Sequence, residues 1–554
     1  GGPPPGPLTP GHGTGEWGGM ARPAAVALLF AAALRAAGAG GAADSEVRRK
    51  VAELQELLQN GEARLQSMEL PQKQRRLFPP TTSLPPSILR ATPGMTRHYT
   101  NEENHAGALD HMWLVLCGAL VMLMQAGFTM VEVGSCRVKS VQAVLYKNLM
   151  DVAISTLGWW LFGWSFAYSG PHKGDGFREG FAGFYQFGGH GFVTAQSDGQ
   201  QEPTTAIAMW YYRWAFCCAA VAIANSGYAE RVRFLGYGIY SLVMSSAIFP
   251  VVVAWTWGNG WLAEMNKPGY FDFAGSGIVH LTGGIGALMA AIIAGPRQGR
   301  FEKAGVFELP DDYLPHSPPL TVLGTLILWF GWYGFTCGST LSMSSVEKGF
   351  LAAQIAMNTT ISASAGGLTV ITLRRLLARR CDLFSICQGI IAGLVSVSAS
   401  CSSIECGTAL GIGVAGGVIF QLVSLLMKKL RIDDTVDAFA VYGACGMWGL
   451  FCAAVMDWGY GFYAVHGFNG FKCVGWVQTS LGCPDDGTPK MGGNLAAANF
   501  AEMFSIIAWS GGISAFVLFF LKRFKFISNE EGPPKPGEVP EEDESEEDWP
   551  LNSI

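Results

Sequence analysis

The sequence predicts an all-α polytopic membrane protein with eleven transmembrane helices, arranged as two inverted five-helix repeats and a final helix. Of its 554 residues, 49% are hydrophobic, only 14% are charged and 72 are glycine. This composition is typical of membrane helices rather than of several soluble domains. Apolar runs long enough to cross a bilayer, about 20 residues each, alternate with short polar links. An odd number of spans places the two termini on opposite sides of the membrane.

The residues before the first span predict a secretory leader followed by an extracellular segment. Residues 1–19 precede the first methionine and are interpreted as untranslated or artefactual sequence. Residues 20–43 combine an arginine, an apolar run and small residues, the pattern of a signal peptide cleaved near Ala43. An extra membrane helix is the alternative, but the apolar run is too short to span. Residues 44–110 predict an amphipathic helix, lying on its own domain or forming a short coiled coil, and then a proline-rich linker.

Residues 111–525 form the predicted membrane domain, and basic residues set its orientation. They cluster after the first, third, fifth, seventh, ninth and last spans, whereas the intervening links are poor in lysine and arginine. The positive-inside rule then places the N-terminus outside and the C-terminus in the cytosol. Secretory entry makes the plasma membrane the expected location. Residues 526–554 are rich in acid and proline, which predicts a disordered cytosolic tail. No basic stripe lies outside the membrane-flanking links, so nucleic acid is not an expected partner.

The thirteen cysteines lack the paired spacing of zinc or redox sites, and neither a metal nor another cofactor is expected. On the predicted topology two pairs face the outside, Cys401 with Cys406 and Cys473 with Cys483. Either pair can form a disulfide in an oxidising compartment, and the longer loop favours Cys473 with Cys483. Free thiols are the alternative for both. The N-x-[ST] match at Asn358 lies within an apolar span and is expected to be unglycosylated.

The stretch DFAGSGIVH places Asp272 and His280 eight residues apart at the start of an apolar run. In a helix this spacing is just over two turns, so both groups lie near one face. Ionisable residues inside a span are costly and usually mark a substrate path, although a hydrogen-bonded structural histidine is the plain alternative. Inverted repeats hold the transport path at their interface. The tenth span carries Asp437 and Tyr442, so the fifth and tenth spans are the predicted pore walls.

Five runs, spread in order over residues 111 to about 525, resemble the ammonium transporter family, also called Amt/Mep/Rh. The runs are QAGFTMVEVGSCRVKS, RWAFCCAAVAIANSGYAERVRF, WTWGNGWL followed by DFAGSGIVH, GWYGFTCGS, and DDTVDAFAVYGACGMWG. Their shared order and topology make coincidence improbable. The resemblance implies a homotrimer in the lipid bilayer, in which each eleven-helix protomer has its own pore for ammonium or ammonia. It also implies that methylammonium serves as a substrate analogue.

The resemblance further implies roles for individual residues at the outer mouth. Phe216 and Phe335 resemble a stacked phenylalanine gate. Trp257, Ser339 and Tyr212 resemble an external ammonium-recruitment site, where an aromatic face attracts a small cation and a hydroxyl accepts one of its protons. The alternative is structural, because most of the 17 tryptophans must fill the core or anchor the membrane interfaces.

Deeper in the span, the resemblance assigns a positioning role and a pore lining. Asp272 resembles the family's essential aspartate, whose expected task is to hold backbone donors in place rather than to bind the ion. His280 resembles the first of two pore histidines, and Trp332 is a further expected pore-lining residue. Where the family has the second histidine, this chain has Tyr442. A phenol can hydrogen-bond the imidazole, but its reference pKa of about 10 makes it a poor proton carrier near neutral pH, and its bulk narrows the lumen.

Two functions follow from these residues. The leading one is an ammonium transport protein that recruits NH4+ at Trp257 and Ser339 and passes ammonia, with or without its proton, past His280. The alternative is an ammonium receptor with slow or no conduction because of Tyr442, although the sequence shows no output domain. A membrane enzyme has little support, because no convincing nucleophile, metal cluster or glycine-rich phosphate loop is evident.

Overall fold

The computed structural model describes residues 101–169, 181–195, 201–203, 206–265, 270–301, 313–379, 382–456 and 492–527. The expected signal peptide, amphipathic helix and proline-rich linker lie outside these residues. So do Cys473, Cys483 and the acidic tail after residue 527.

Helices account for nearly all of the described chain, as expected for runs that must satisfy their backbone hydrogen bonds without water. Short 3-10 turns at Val138–Ser140 and Phe187–Gly189 and a short helix at Trp261–Glu264 lie in the links. In chain order the long segments are α1 (Asn101–Ser135), α2 (Val141–Gly158, a π turn at Trp159–Gly163, and Trp164–Tyr168), α3 (Ala206–Ser226), α4 (Phe234–Val243, a π turn at Met244–Ile248, and Phe249–Trp255), α5 (a π turn at Ser276–Leu281, then Thr282–Ala294), α6 (Pro318–Gly338), α7 (Val346–Ala378), α8 (Leu383–Val397), α9 (Cys406–Lys429), α10 (a π turn at Phe439–Ala444, then Cys445–Val455) and α11 (Gly492–Arg523).

The helices identify a multi-pass membrane protein, as the sequence predicted. By length and composition, 7 of the described helices can cross a membrane, namely α1, α3, α4, α5, α6, α9 and α11. The helices α8 and α10 are shorter but apolar. With α2 and α7, which are also long, the described segments are consistent with the predicted count of eleven spans.

Two local features depart from the sequence expectations. The first helix begins at Asn101, ahead of the predicted domain boundary at residue 111, because hydropathy detects the part of a helix in the membrane and not its polar extension. In the link before α3, a small ribbon adds strands to the otherwise helical fold. Its strands, β1 (Val193–Ala195) and β2 (Gln201–Pro203), are antiparallel, with Thr194 opposite Glu202.

The first two residues of the predicted tail, Phe526 and Ile527, form backbone contacts. The backbone N–H of Arg233 donates to the carbonyl of Phe526 at 2.8 Å, and Ile527 pairs with Val232 in an antiparallel bridge. These backbone contacts join the first two residues of the expected tail to the link between α3 and α4.

The helices of the described chain pack around one large apolar core and two smaller apolar clusters. Helix α1 packs chiefly against α6, α7 against α8 and α9, and α5 against α3 and α11. Glycines allow the close contacts: a Cβ on Gly324 of α6 would lie 2.7 Å from the carbonyl oxygen of Gly127 of α1. Small residues at such crossings are the usual device for packing membrane helices.

The helices α5 and α10 begin in the same way, as expected for equivalent elements of two repeats. Each starts with a π turn and follows a carboxylate that accepts backbone N–H groups, Asp272 for α5 and Asp434 for α10. Asp272 lies eight residues before His280, and Asp434 lies eight residues before Tyr442. Asp434, rather than Asp437, is therefore the counterpart of Asp272 in spacing and in backbone hydrogen bonding. Asp437 instead forms an ion pair with Lys428, with Nζ to Oδ2 at 3.3 Å.

A buried ionic cluster, comprising Arg137, Glu230, Arg231, Arg297 and Asp433, lies where α1, α3 and α5 end and before α10 begins. Glu230 accepts hydrogen bonds from Arg137 and, at 2.6 Å, from Arg297. Arg297 also donates to both oxygens of Asp433, at 2.7 and 2.9 Å. The ionic cluster thereby ties together four links that are far apart in sequence.

Candidate functional site

A line of aromatic rings runs from Trp257 into the centre of the helix bundle. The rings of Phe216 and Phe335 stack with centroids 4.1 Å apart and planes inclined by 12°. Trp257 lies edge-on to Phe216, with centroids 5.8 Å apart, and Phe335 lies 5.1 Å from the His280 ring. Both phenylalanines are fully buried. The structure therefore brings the predicted gate pair together between Trp257 and His280. In this conformation the two stacked rings leave no gap between them.

The two predicted recruitment hydroxyls meet at the end of α6. Tyr212 donates from its hydroxyl to the carbonyl of Phe335 at 3.1 Å, and this hydroxyl lies 3.4 Å from Oγ of Ser339. Ser339 donates to the same carbonyl at 2.9 Å. The Tyr212 ring also packs against Phe216, with centroids 4.8 Å apart. Tyr212 thus joins α3 to α6, while the oxygen of Ser339 keeps acceptor capacity.

Asp272 organises the start of α5 through the backbone. Its Oδ1 accepts the N–H groups of Gly275 and Ser276, both at 2.9 Å. Its Oδ2 accepts those of Gly277 at 2.8 Å and Ile278 at 3.0 Å. The first N–H groups of a helix have no partner within the helix, and a carboxylate there also interacts favourably with the helix dipole. The carboxylate therefore acts on the helix backbone, as the sequence analysis expected.

The same turn fixes the position of the Trp257 indole. Its Nε1–H donates to the backbone carbonyl of Asp272 at 3.1 Å. Gly275 has a φ of 91°, which a side chain rarely tolerates. A Cβ there would lie 3.0 Å from the Trp257 ring and 2.9 Å from Val279. A glycine at position 275 is therefore required both by the backbone and by the closeness of the indole.

The turn is also joined to the residues after α8. Phe273 and Ala274 donate their N–H groups to the carbonyls of Ala399 and Ser398, at 3.0 and 3.1 Å. The hydroxyl of Ser398 accepts the indole N–H of Trp332 at 3.2 Å. Trp332, a predicted pore-lining residue, is therefore held in place from the turn that follows α8.

His280 lies fully buried on the π turn of α5, a type of turn that is frequent at functional sites. Its ring stacks on Trp332, with centroids 4.9 Å apart and planes inclined by 15°. Among the described residues, neither ring nitrogen has a hydrogen-bond partner. The structure thus gives no support to a hydrogen-bonded structural histidine. It leaves a buried donor and a buried acceptor unsatisfied, a costly arrangement that favours a hydrogen-bonding ligand.

Tyr442 extends the line of rings beyond His280. Its ring centroid lies 6.0 Å from that of His280, with planes inclined by 27°, and 6.0 Å from that of Phe128. The Tyr442 hydroxyl does not hydrogen-bond the imidazole, because both ring nitrogens of His280 lack a partner within the described chain. Tyr442 therefore contributes bulk beside His280 and not the hydrogen bond that the sequence analysis considered.

The remaining predicted sites are the two cysteine pairs and the N-x-[ST] match at Asn358. Cys401 and Cys406 are both free, and the Cys401 thiol lies 3.4 Å from the carbonyl of Ser398. Asn358 is fully buried and donates to the carbonyls of Cys401 and Ile404. The pair Cys473 and Cys483 lies outside the described residues.

Comparison with known proteins identifies the class of protein. The model of the Ammonium Transporter Family matches residues 112–532. The chain belongs to the ammonium transporter family. The ammonium transporter Amt2 of Archaeoglobus fulgidus is 35% identical over 373 residues, covering 66% of this chain and 75% of that protein. The putative ammonium transporter 1 of Caenorhabditis elegans is 32% identical over 428 residues, covering 75% and 74%. These relatives are named as transporters, in agreement with the expectation that this family member is not an enzyme.

Solved structures agree with the fold of this ammonium transporter family member. A protein described as Sensor Amt Protein has a TM-score of 0.64 and 27% identity, covering 79% of this chain and 100% of that chain. Mep2 of Saccharomyces cerevisiae has a TM-score of 0.63 and 24% identity, covering 77% and 89%. At that identity the second likeness concerns the fold alone.

Three residues of this site were not predicted from the sequence. Arg213 stacks on Trp257, Phe128 lies beyond Tyr442, and Asp434 is the repeat equivalent of Asp272. A signal existed for two of them. Arg213 is a charge within an apolar span, which is itself unusual, and Asp434 repeats the eight-residue spacing to the next pore position. Phe128 had no signal beyond its place in a family-like run.

Proposed function

We propose that this chain transports ammonium through a pore between α5 and α10. The observation that carries the proposal is His280, whose ring nitrogens are unpaired within the described chain and which lies at the inner end of the rings leading from Trp257. A neutral imidazole donates at one nitrogen and accepts at the other. Ammonia has the complementary donors and lone pair, so it can satisfy the groups that the protein leaves unsatisfied.

The residues suggest an order of events along the path. NH4+ is recruited at Trp257, where the aromatic face attracts the cation and the Ser339 oxygen accepts a hydrogen bond from one of its N–H groups. Phe216 and Phe335 then separate. Moving an unpaired ion into an apolar segment is costly, so NH4+ gives up a proton to water at the outer mouth, and NH3 continues past His280 and Trp332. The charge that crosses the membrane with each transported molecule distinguishes the two modes of transport. Transfer of NH3 alone moves no charge, whereas transfer of NH3 together with its proton moves one.

The test is uptake of labelled methylammonium, together with ammonium-dependent current, in cells that lack their own ammonium transporters. We expect saturable uptake from the full chain. His280→Leu keeps apolar bulk but removes both nitrogens, and uptake should fall at least about tenfold, equivalent to about 1.4 kcal/mol in the barrier. Absence of uptake by wild-type protein that reaches the cell surface would contradict the transport proposal.

A second candidate function is an ammonium receptor with slow conduction. The observation that favours it is Tyr442, whose ring occupies space beside His280 without pairing with it. One structural neighbour at 27% identity is described as a sensor. On this reading ammonium binds at Trp257 and the tyrosine limits its passage.

Substitutions at Tyr442 separate the two functions. Tyr442→Phe removes a hydroxyl that makes no bond to His280, so flux should stay within about twofold of wild type, less than 0.5 kcal/mol in the barrier. Tyr442→His reduces bulk and restores two ring nitrogens, and a large gain in uptake is expected if the tyrosine restricts the pore. Uptake that is already high and unchanged in Tyr442→His would rule out a restricted pore. Loss of uptake in Tyr442→Phe would show instead that the hydroxyl takes part.

We also propose that the protein is a homotrimer in the plasma membrane, with its N-terminus outside and its C-terminus in the cytosol. The orientation is supported by the basic residues after alternate spans. Mass photometry in detergent tests the trimer, and antibody access to terminal tags in intact cells tests the orientation. A labelled C-terminal tag in unpermeabilised cells would contradict it.

A further inference from the structure

Arg213 lies beside the proposed recruitment site and has no role in the path described above. It follows Tyr212 on α3, and its side chain is buried, with 6% of the residue exposed. The guanidinium carbon lies 4.1 Å from the centroid of the Trp257 ring. It also lies 5.5 Å from the Phe216 centroid and 5.6 Å from that of Tyr212. The cation thus contacts all three rings at the mouth of the aromatic line.

No carboxylate of the described chain forms an ion pair with Arg213. Both Nε and Nη1 of Arg213 are buried without a hydrogen-bond partner, and the guanidinium forms no ion pair with a described residue. A buried cation without a counter-charge is unfavourable. What remains to stabilise it is the negative face of the surrounding rings. Arg213 therefore uses the same attraction that would hold an ammonium ion at Trp257.

We infer that Arg213 is a resident cation that competes with ammonium for the Trp257 face and thereby sets the affinity and cation selectivity of the outer site. This inference rests on the proposed function. An incoming ammonium ion must displace the guanidinium or bind beside it. In either case the like charge opposes binding, because two cations a few ångströms apart in a partly desolvated site repel strongly. Gly275 also limits the space around the indole, since a Cβ there would lie 3.0 Å from the ring.

The competing explanation is that Arg213 only clamps the indole in place. The two explanations predict opposite effects of neutralisation. If the guanidinium competes, Arg213→Gln tightens ammonium binding, whereas loss of a clamp would loosen Trp257 and weaken binding. Arg213→Lys keeps the charge but loses the planar group, so it should bind ammonium about as weakly as wild type.

The experiment measures ammonium binding by the purified full-length protein through the shift in its thermal unfolding midpoint. Ammonium chloride is titrated against sodium chloride at constant ionic strength, so that binding is read without requiring conduction. For Arg213→Gln we expect the apparent Kd to fall at least about tenfold, the order expected when one neighbouring like charge is removed. The gain should disappear in the double variant Arg213→Gln with Trp257→Leu. Arg375→Gln, an exposed arginine on α7, is the matched control and should leave the Kd unchanged.

The outcomes separate this inference from the proposed function. An unchanged or weaker Kd in Arg213→Gln overturns the inference, and so does a gain that persists without Trp257. Tighter binding in Arg213→Gln with no methylammonium uptake by any variant leaves the inference standing and contradicts transport. Uptake by wild type with no change of Kd in Arg213→Gln supports transport and overturns the inference about Arg213.

Discussion

At the scale of single residues, Asp272 positions the start of α5 through hydrogen bonds with the backbone. This role was expected from the resemblance of Asp272 to the essential aspartate of the ammonium transporter family. The contact of Arg213 with Trp257 was not expected from the sequence. That contact depends on how α3 packs against the link after α4, which no spacing along the chain encodes.

Replacing Asp272 with asparagine is expected to destabilise the start of α5. The amide offers one oxygen, and its NH2 group faces two backbone N–H groups that Oδ2 now accepts. We expect a loss of about 2–4 kcal/mol, the cost of unsatisfying buried groups bonded to a charge, and a severe loss of methylammonium uptake because the Trp257 indole is bonded to the same residue. Thermal unfolding in detergent and uptake at matched surface expression measure the two effects.

Asp437→Asn is the matched control for that change. Asp437 pairs with Lys428 at 3.3 Å and has a φ of 52°, which asparagine tolerates well. Asparagine keeps an oxygen that can accept the hydrogen bond from the Lys428 ammonium, so the change should cost less than Asp272→Asn. Equal unfolding midpoints for Asp272→Asn and wild type would show that the four N–H contacts do not stabilise the turn.

At the scale of elements, the crossing of α5 and α10 defines the proposed pore. The sequence predicted both helices as pore walls from their ionisable residues and their places in the two repeats. It did not predict the π turns that carry His280 and Tyr442, because hydrophobic periodicity does not register a single extra residue in a helical turn. Nor did the sequence single out Asp434 as the counterpart of Asp272. Three acids precede α10 within five residues, and only backbone hydrogen bonding shows which one corresponds to Asp272.

Gly284→Ala tests how closely the two helices must approach. A Cβ at Gly284 would lie 2.3 Å from the backbone nitrogen of Gly443, next to Tyr442. Because backbone cannot move aside as a flexible side chain can, the helices must separate, and we expect a loss of at least about 1–3 kcal/mol. Uptake should change as well, since the separation alters the distance between His280 and Tyr442.

Gly512→Ala on α11 provides the control for the change of residue type. A Cβ at Gly512 would have nothing within 4 Å, and alanine favours helix over glycine by about 1 kcal/mol. The unfolding midpoint should therefore stay the same or rise. If Gly284→Ala proved as stable as Gly512→Ala, this result would contradict the close approach of α5 and α10 at Gly284.

At the scale of the whole molecule, the sequence predicted the class of fold but not what holds the links together. Composition and hydropathy were sufficient for a multi-pass helical protein, because each span must be apolar and internally bonded. Basic residues after alternate spans were used only to set the orientation. Three of them, Arg137, Arg231 and Arg297, belong to the buried ionic cluster. Their partners Glu230 and Asp433 are distant in sequence, so the ionic cluster was not predictable from local pattern.

The ionic cluster makes stability depend on pH in the acid range. Burial alone would raise the pKa of Glu230, but the Arg297 and Arg137 guanidiniums outweigh burial and hold the pKa below its ordinary value of 4.5. Burial likewise opposes ionisation of Asp433, yet Arg297 and Arg231 hold that pKa well below its ordinary value of 3.8. A lowered carboxyl pKa in the folded state adds stability that is present above the unfolded pKa and is lost as pH falls through the folded pKa.

The unfolding midpoint of the wild-type protein should therefore fall as pH drops below about 4.5. In that range the carboxyls bind protons in the unfolded protein but stay ionised in the folded protein. Glu230→Gln removes one of the two acids and leaves Arg137 and Arg297 short of a buried partner. We expect it to lose about 3–5 kcal/mol near neutral pH and to decline less steeply than wild type below pH 4.5. Thermal unfolding in detergent between pH 7 and 3 measures both slopes. Parallel curves for the two proteins would mean that Glu230 does not contribute to the acid sensitivity, because a carboxyl absent from the variant cannot contribute to its slope.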